Sequence, residues 1–227
     1  MTPYYQDGAV TLYLGDCREI LPQLRCPNTT YCLEACDGRC EPRAVVTDPV
    51  YGIAYVHGAE KIKNASKLNG IEVFGDDSPF DPAPLLALGH PTILWGANHY
   101  ATRLPESPGW LVWDKRCNTG KNDQSDCELA WTNILGTARV FYHVWDGFRR
   151  DTEKNWPRVH PMQKPVALMT WCLGFVDADA VVLDPYMGSG PIVEAAKLLG
   201  RRAIGIEIEE RYCEIAANRL RQEVLPL

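Results

Sequence analysis

Ala180-Val181-Val182-Leu183-Asp184-Pro185-Tyr186-Met187-Gly188-Ser189-Gly190-Pro191 and, one helical segment later, Arg201-Arg202-Ala203-Ile204-Gly205-Ile206-Glu207 decide the fold. An apolar run over residues 180–183 ends in Asp184, and a glycine-rich turn leads into apolar positions Ile192, Val193, Ala196 and Leu199 at helical spacing. That is the order strand, tight turn, helix. Pro191 suits the first helical position and Gly200 the helix end. A second buried strand, 203–206, closes on Glu207. In such a βαβ unit the turn presents free N–H groups at the positive end of a helix, and glycines admit a ligand close to the backbone. An acidic residue roughly 20 positions on accepts hydrogen bonds from ribose hydroxyls, which is the place of Glu207. The turn is not the dinucleotide GxGxxG, so no NAD site is expected; Asp184 ahead of the glycines suits a ligand with a cationic group, such as an amino acid ammonium.

Working outward, 227 residues with 46% hydrophobic content suit one α/β domain with elaborations. With no long apolar segment and no basic-then-apolar N-terminus, the sequence predicts a cytoplasmic protein without a membrane partner. A net charge of −6 argues against a large nucleic-acid footprint, although cations gather locally: residues 139–164 hold six Lys or Arg against three carboxylates. Nine cysteines, an odd count, speak against a complete disulfide framework. Cys26, Cys32, Cys36 and Cys40 are close enough to pose a zinc site, but their spacings are not those of CxxC knuckles, so an inert thiol-rich loop is preferred.

Residues 10–14 read as a strand running into Gly15-Asp16, with a short helix behind it. Residues 44–47 form a continuous apolar strand that delivers Asp48 to its C-terminal edge, followed by Pro49, Val50 and Tyr51. Such edges are where ligands of parallel sheets bind. A planar substrate carrying an amino group finds an acceptor and a stacking face here. Residues 53–77 read as a loop over that edge, 80–88 as a helix, and 92–95, 110–113, 127–131 and 138–144 as further strands. Residues 149–157 are the expected substrate-facing loop. Lys164, just before an apolar helix at 166–176, is placed to neutralise a ligand carboxylate, and 209–223 reads as an amphipathic helix.

Taken together, Gly15-Asp16, Asp48-Pro49-Val50-Tyr51, the run from His160 to Pro165, the run from Asp184 to Gly190 and Gly205-Ile206-Glu207 resemble the amino-methyltransferases of DNA. More narrowly they resemble the permuted group in which the target-site half precedes the cofactor half, and its compact prophage or orphan members. The resemblance implies a Rossmann-like α/β fold: a mostly parallel seven-stranded sheet with helices on both faces, binding S-adenosylmethionine. It implies one domain over 1–227, with a target-amine half at about 1–145, a variable substrate-facing segment within 115–158, and a cofactor half at about 159–227.

Carried over by motif, the loop of Asp184, Tyr186, Gly188, Ser189 and Gly190 holds the methionine part, helped by Lys164. Glu207 takes the ribose hydroxyls and Asp16 the adenine amino group of the cofactor. Asp48, the Pro49 carbonyl and Tyr51 form the target-amine site, and the transfer needs no metal. Val50 stands where the family usually has a second proline, and Tyr186 where it commonly has Phe. The implied reaction is methylation of an exocyclic amine of a flipped DNA base, adenine N6 favoured over cytosine N4. A brief recognition site, lax specificity or a homodimer that enlarges the DNA surface would fit the short variable segment. The rivals are a methyltransferase of RNA or protein amines and a non-catalytic cofactor- or DNA-binding protein.

Overall fold

The structure, a computed structural model, describes residues 1–24, 43–53, 74–117, 125–145, 149–154, 159–160 and 162–222. Short apolar runs set its sheet. β1 (Tyr5–Gln6), β2 (Val10–Leu14), β3 (Ala44–Thr47), β4 (Thr92–Trp95), β5 (Trp110–Asp114), β6 (Cys127–Thr132), β7 (Arg139–Tyr142), β8 (Val182–Asp184) and β9 (Ala203–Glu207) lie in the order β1-β2-β9-β8-β3-β4-β6-β5-β7. β2, β9, β8, β3 and β4 run parallel, as does the β5–β7 pair, while β1, and β6 against both its neighbours, run antiparallel. Every residue of β3, β4 and β8 is buried, as expected for parallel strands covered on both faces.

The sheet is mostly parallel but has nine strands among the described residues, not the seven implied by the resemblance. β1 adds a two-residue edge strand, too short to carry any periodicity. Helices cover both faces. α3 (Val166–Leu173), α4 (Pro191–Leu198) and α5 (Glu210–Arg221) supply Leu168, Val193 and Ala216 to a core with Leu12, Val46 and Trp95. α1 (Cys17–Ile20) and α2 (Ala83–Leu86) pack Ile20 and Leu85 on the other face, against Val45, Leu94, Leu183 and Ile206. Because side chains alternate across a strand, Val45 and Val46 serve opposite cores.

The consequence for function lies at one edge. Leu14 pairs with Glu207, Asp184 with Gly205, and Val45 with Leu183, so the C-terminal tips of β2, β9, β8 and β3 stand side by side. Each tip carries a carboxylate: Asp16, Glu207, Asp184 and Asp48. With neighbouring strands about 4.8 Å apart, the tips of β9 and β3 are about 10 Å from each other. No helix among the described residues is long and apolar enough to cross a membrane. Cys26, Cys32, Cys36 and Cys40 lie outside the described residues, as does most of the loop expected at 53–77.

Candidate active site

A cavity of about 990 Å³ opens over the strand tips. Its walls include Asp16, Asp48, Pro49, Tyr51, Lys164, Asp184, Tyr186, Gly188, Ser189 and Glu207. Gly190 lies at the turn behind this wall. Residues from the two ends of the chain therefore meet over one hollow.

On one side, β8 delivers Asp184 into a turn that ends at Gly190, where α4 begins. Gly190 has a φ of 81°, and a Cβ there would stand 2.8 Å from the Ala216 Cβ of α5, so only glycine fits. Asp184 is buried; its Oδ1 accepts the Thr47 hydroxyl at 2.7 Å and the Tyr186 N–H at 3.2 Å. Burial, opposed by the Thr47 hydrogen bond and reinforced by Asp48 and Glu207, pushes the Asp184 carboxyl up to about 8. Glu207 accepts the Gly188 N–H at 2.9 Å and the Glu209 N–H at 2.8 Å, which leaves lone pairs on both oxygens. Burial raises the Glu207 carboxyl as well. The Ser189 hydroxyl is buried without a hydrogen-bond partner among the described residues, a group that calls for a ligand.

Asp16 caps α1, accepting the Arg18 N–H at 2.8 Å, and pairs with the Arg18 guanidinium at 2.5 Å. The Arg18 side chain is 80% exposed, so this ion pair is readily exchanged for a ligand contact.

On the other side stands Asp48. Its Oδ1 accepts the Tyr51 hydroxyl at 2.5 Å and its Oδ2 the Lys164 ammonium at 2.5 Å. Burial raises the Asp48 carboxyl against the opposing pull of Lys164. Lys164 is where the structure departs from expectation. It lines the cavity, yet its ammonium is directed at protein carboxylates, Asp48 and also Glu128 at 3.1 Å, rather than left open for a ligand carboxylate. Tyr51 departs in a different way. Its ring is 8% exposed and already stacked on His99, with centroids 4.8 Å apart, so its contribution is the hydroxyl on Asp48 more than an open stacking face. The exposed aromatic on the cavity wall is Phe74.

Several residues of the site escaped the sequence reading. Asp76 Oδ1 accepts three successive backbone N–H groups, from Tyr51 at 3.1 Å, Gly52 at 2.7 Å and Ile53 at 3.2 Å, and so holds the turn that follows Asp48. Glu128 projects from β6 onto Lys164 and Lys115. Gly96, in the left-handed region with φ of 70°, lets the Tyr51 ring lie against the end of β4; a Cβ would sit 1.8 Å from that ring. Gly96→Ala is therefore expected to cost about 1–3 kcal/mol, from strained backbone and a displaced ring. A lowered Tm together with at least tenfold weaker turnover is the expected result, and a variant with wild-type values for both would refute the packing argument.

Part of the expected substrate-facing loop at 149–157 turns inward. Glu153 accepts the Val166 N–H at the start of α3 at 3.0 Å and pairs with Arg219 of α5 at 3.2 Å, while residues 155–158 lie outside the described residues. Among the described residues no group of three His, Cys, Asp or Glu is placed to hold a metal ion, and Cys17, Cys117, Cys127, Cys172 and Cys213 form no disulfide.

Fold and cavity together define a Rossmann-like α/β protein whose strand tips open on one hollow. The fold is shared with the cytosine-N4-specific PvuII DNA methyltransferase, at a TM-score of 0.60 and 13% identity over 99% of this chain and 90% of that one. It is shared also with M1.HpyAVI, at a TM-score of 0.51 and 21% identity over 94% and 100%. Residues 90–218 match the DNA methylase model of the N6 and N4 methyltransferases, and the chain belongs to that family. Among curated proteins it is similar to the type II methyltransferase M2.DpnII of Streptococcus pneumoniae, 41% identical over 39% of this chain and 34% of that protein. It is similar also to M.HinfI of Haemophilus influenzae, 30% identical over 55% and 36%. A third relative, M2.LlaDCHI of Lactococcus lactis subsp. cremoris, is 38% identical over 48% and 40%. The matches thus span between 34% and 40% of these relatives' lengths.

Proposed function

We propose that the protein transfers a methyl group from S-adenosylmethionine to an exocyclic amine of a DNA base, adenine N6 being the favoured target. The observation that carries this reading is the shared cavity. The carboxylate suited to an amine, Asp48, and the loop suited to a cationic donor, Asp184 to Gly190, stand on adjacent parallel strands joined by the 2.7 Å hydrogen bond from Thr47 to Asp184. The donor set fits the cofactor. Carboxylates at the strand tips offer acceptors for an ammonium and for ribose hydroxyls, and the Ser189 hydroxyl, buried with no hydrogen-bond partner among the described residues, lies in the loop assigned to the methionine part. In this reading Asp184 faces the ammonium, Glu207 the ribose hydroxyls, and Asp16 the adenine amino group after exchanging Arg18.

Bound S-adenosylmethionine supplies an electrophilic methyl group on a sulfonium that departs as a neutral thioether. The residues of the chain act on the amine. Its lone pair is delocalised into the base, and two acceptors, the Asp48 carboxylate and the Pro49 carbonyl, hold its two hydrogens and draw the nitrogen toward a tetrahedral shape. The lone pair then localises toward the methyl group. Once the new N–C bond forms, the surplus amine proton passes to Asp48 and on to solvent. Tyr51 fixes the rotation of the carboxylate through its hydroxyl, and catalysis is mainly orientation and electrostatics.

A base in a duplex must be flipped out to reach this cavity, at a cost of a few kcal/mol. Phe74, 62% exposed on the cavity wall, offers the stacking surface that the buried Tyr51 ring does not. The preference for adenine rests on the Asp48-Pro49-Val50-Tyr51 motif and its tendency in the resembled family. Sequencing DNA from a methylation-free host that expresses this chain, with a modified-base readout, tests base, position and context together. Methyl-adenine at a defined context is expected. Unmodified DNA, with tritium passing from the cofactor to RNA or protein instead, would overturn the reading.

A further inference from the structure

We propose that Glu128, acting through Lys164, is a positioning residue for Asp48, the two carboxylates sharing one buried ammonium so that Asp48 stays ionised yet free to take an amine hydrogen. This deepens the methyltransferase reading and rests on it for the role of Asp48. The geometry comes from three remote parts of the chain: the tip of β3, the start of β6, and the residue two places before α3. The Lys164 side chain is 4% exposed and directs its ammonium at Asp48 Oδ2 at 2.5 Å, Glu128 Oε2 at 3.1 Å and the Tyr51 hydroxyl oxygen at 3.3 Å. Lys115 meets the other Glu128 oxygen at 3.0 Å.

Two carboxylates and two ammonium groups therefore balance. Each partner has a distinct task. Paired with Lys164 alone, Asp48 would have its charge quenched just where the amine must be held. Without Lys164, Asp48 and Glu128 would be two buried like charges, and one of them would take up a proton. Burial alone would raise Glu128, but Lys164 and Lys115 outweigh it and bring its carboxyl down to about 2, so it stays ionised. Asp48 feels Lys164 from one side and Glu128 from the other. Among the described residues Tyr51, Tyr100 and Asp184 also face it.

The test follows the Asp48 carboxyl directly, by its carbon-13 shift against pH in the free protein. The wild type is compared with Lys164→Met, Glu128→Gln and the double variant. Lys164→Met is expected to move the Asp48 titration upward by more than about one pH unit. Glu128→Gln, which leaves the ammonium wholly to Asp48, moves it downward. The double variant returns it toward wild type, and the acid limb of kcat follows the same order while cofactor Kd in Glu128→Gln stays at the wild-type value. A titration unmoved by Lys164→Met, or one identical in that variant and the double, overturns the proposal. So does a raised cofactor Kd as the main effect of Lys164→Met, since that would put the ammonium on the ligand. An inactive wild type would sink the methyltransferase reading, and the carboxyl titrations would still decide whether the ammonium is shared.

Discussion

Asp48→Ala is expected to lower methyl transfer by about a thousandfold or more while leaving cofactor Kd nearly unchanged. The first half follows from position. Asp48 is the acceptor presented at the tip of β3, and removing one preorganised partner of a reacting group typically costs about 10²–10³ in rate. Here the same change also removes the group that receives the surplus proton, which contributes further. The second half follows from the division of the cavity in the proposed reading, where the cofactor side is built from Asp184 to Ser189 and Glu207, at the ends of β8 and β9. The variant should fold. Lys164 keeps Glu128 at 3.1 Å, so no buried ammonium is left without a counter-charge. Single-turnover transfer and calorimetric cofactor binding check the two halves separately, with a melting curve as control. Turnover within tenfold of wild type would remove Asp48 from the chemistry.

The second large effect concerns pH and the cofactor. In the free protein the Asp184 carboxyl is pushed up to about 8, chiefly by burial, so at neutral pH it is mostly protonated. A ligand ammonium beside it favours the ionised form, so binding must expel that proton. The sign is then fixed: affinity rises with pH, by up to tenfold per unit, as pH climbs toward about 8. Above that it falls again, because the ligand's own α-amino group, with a reference value of about 7.7–8.0, loses its charge. The expected profile of cofactor affinity is a bell with its maximum near pH 8. Calorimetry at pH 7 in buffers of different ionisation enthalpy should report proton release, and Asp184→Asn should flatten the acid limb. An affinity constant from pH 6 to 8, with no proton released, would show that Asp184 does not face the ammonium.

Much of this arrangement could be read along the chain, and the reason is locality. Strand, Asp184, glycine turn and helix are contiguous, and each step has its own backbone chemistry, so the βαβ unit and Glu207 at its end were legible from a window of under thirty residues. Asp48 was legible for the same reason, as a carboxylate on the end of an apolar run. Glu128 was not. It is one charged residue within Cys127-Glu128-Leu129-Ala130-Trp131, and only the antiparallel pairing of β6 with β4 brings it to the edge where Asp48 stands. A carboxylate set inside an apolar strand was the available signal.

Asp76 gave even less, being one of two adjacent aspartates after a polar stretch, with its three N–H partners some 23–25 residues upstream. Lys164 was legible as a site residue, but its contacts with Asp48 and Glu128 were not. Its neighbours along the chain point to the cofactor half, whereas its ammonium reaches across to β3. The short edge strand β1 and the stacking of Tyr51 on His99 depend likewise on pairings that no local pattern encodes.

Thr47 stands directly before Asp48 and gives its only hydroxyl hydrogen to Asp184 on the neighbouring strand. Donor pocket and acceptor pocket are in this way soldered along one seam, and a substitution in β3 meant to change the preferred base would also disturb the grip on the methyl donor. The outer flank stands apart from that seam: β7 is the last strand there and leaves Val140 and Tyr142 open to solvent. Substitutions on that flank leave the seam untouched.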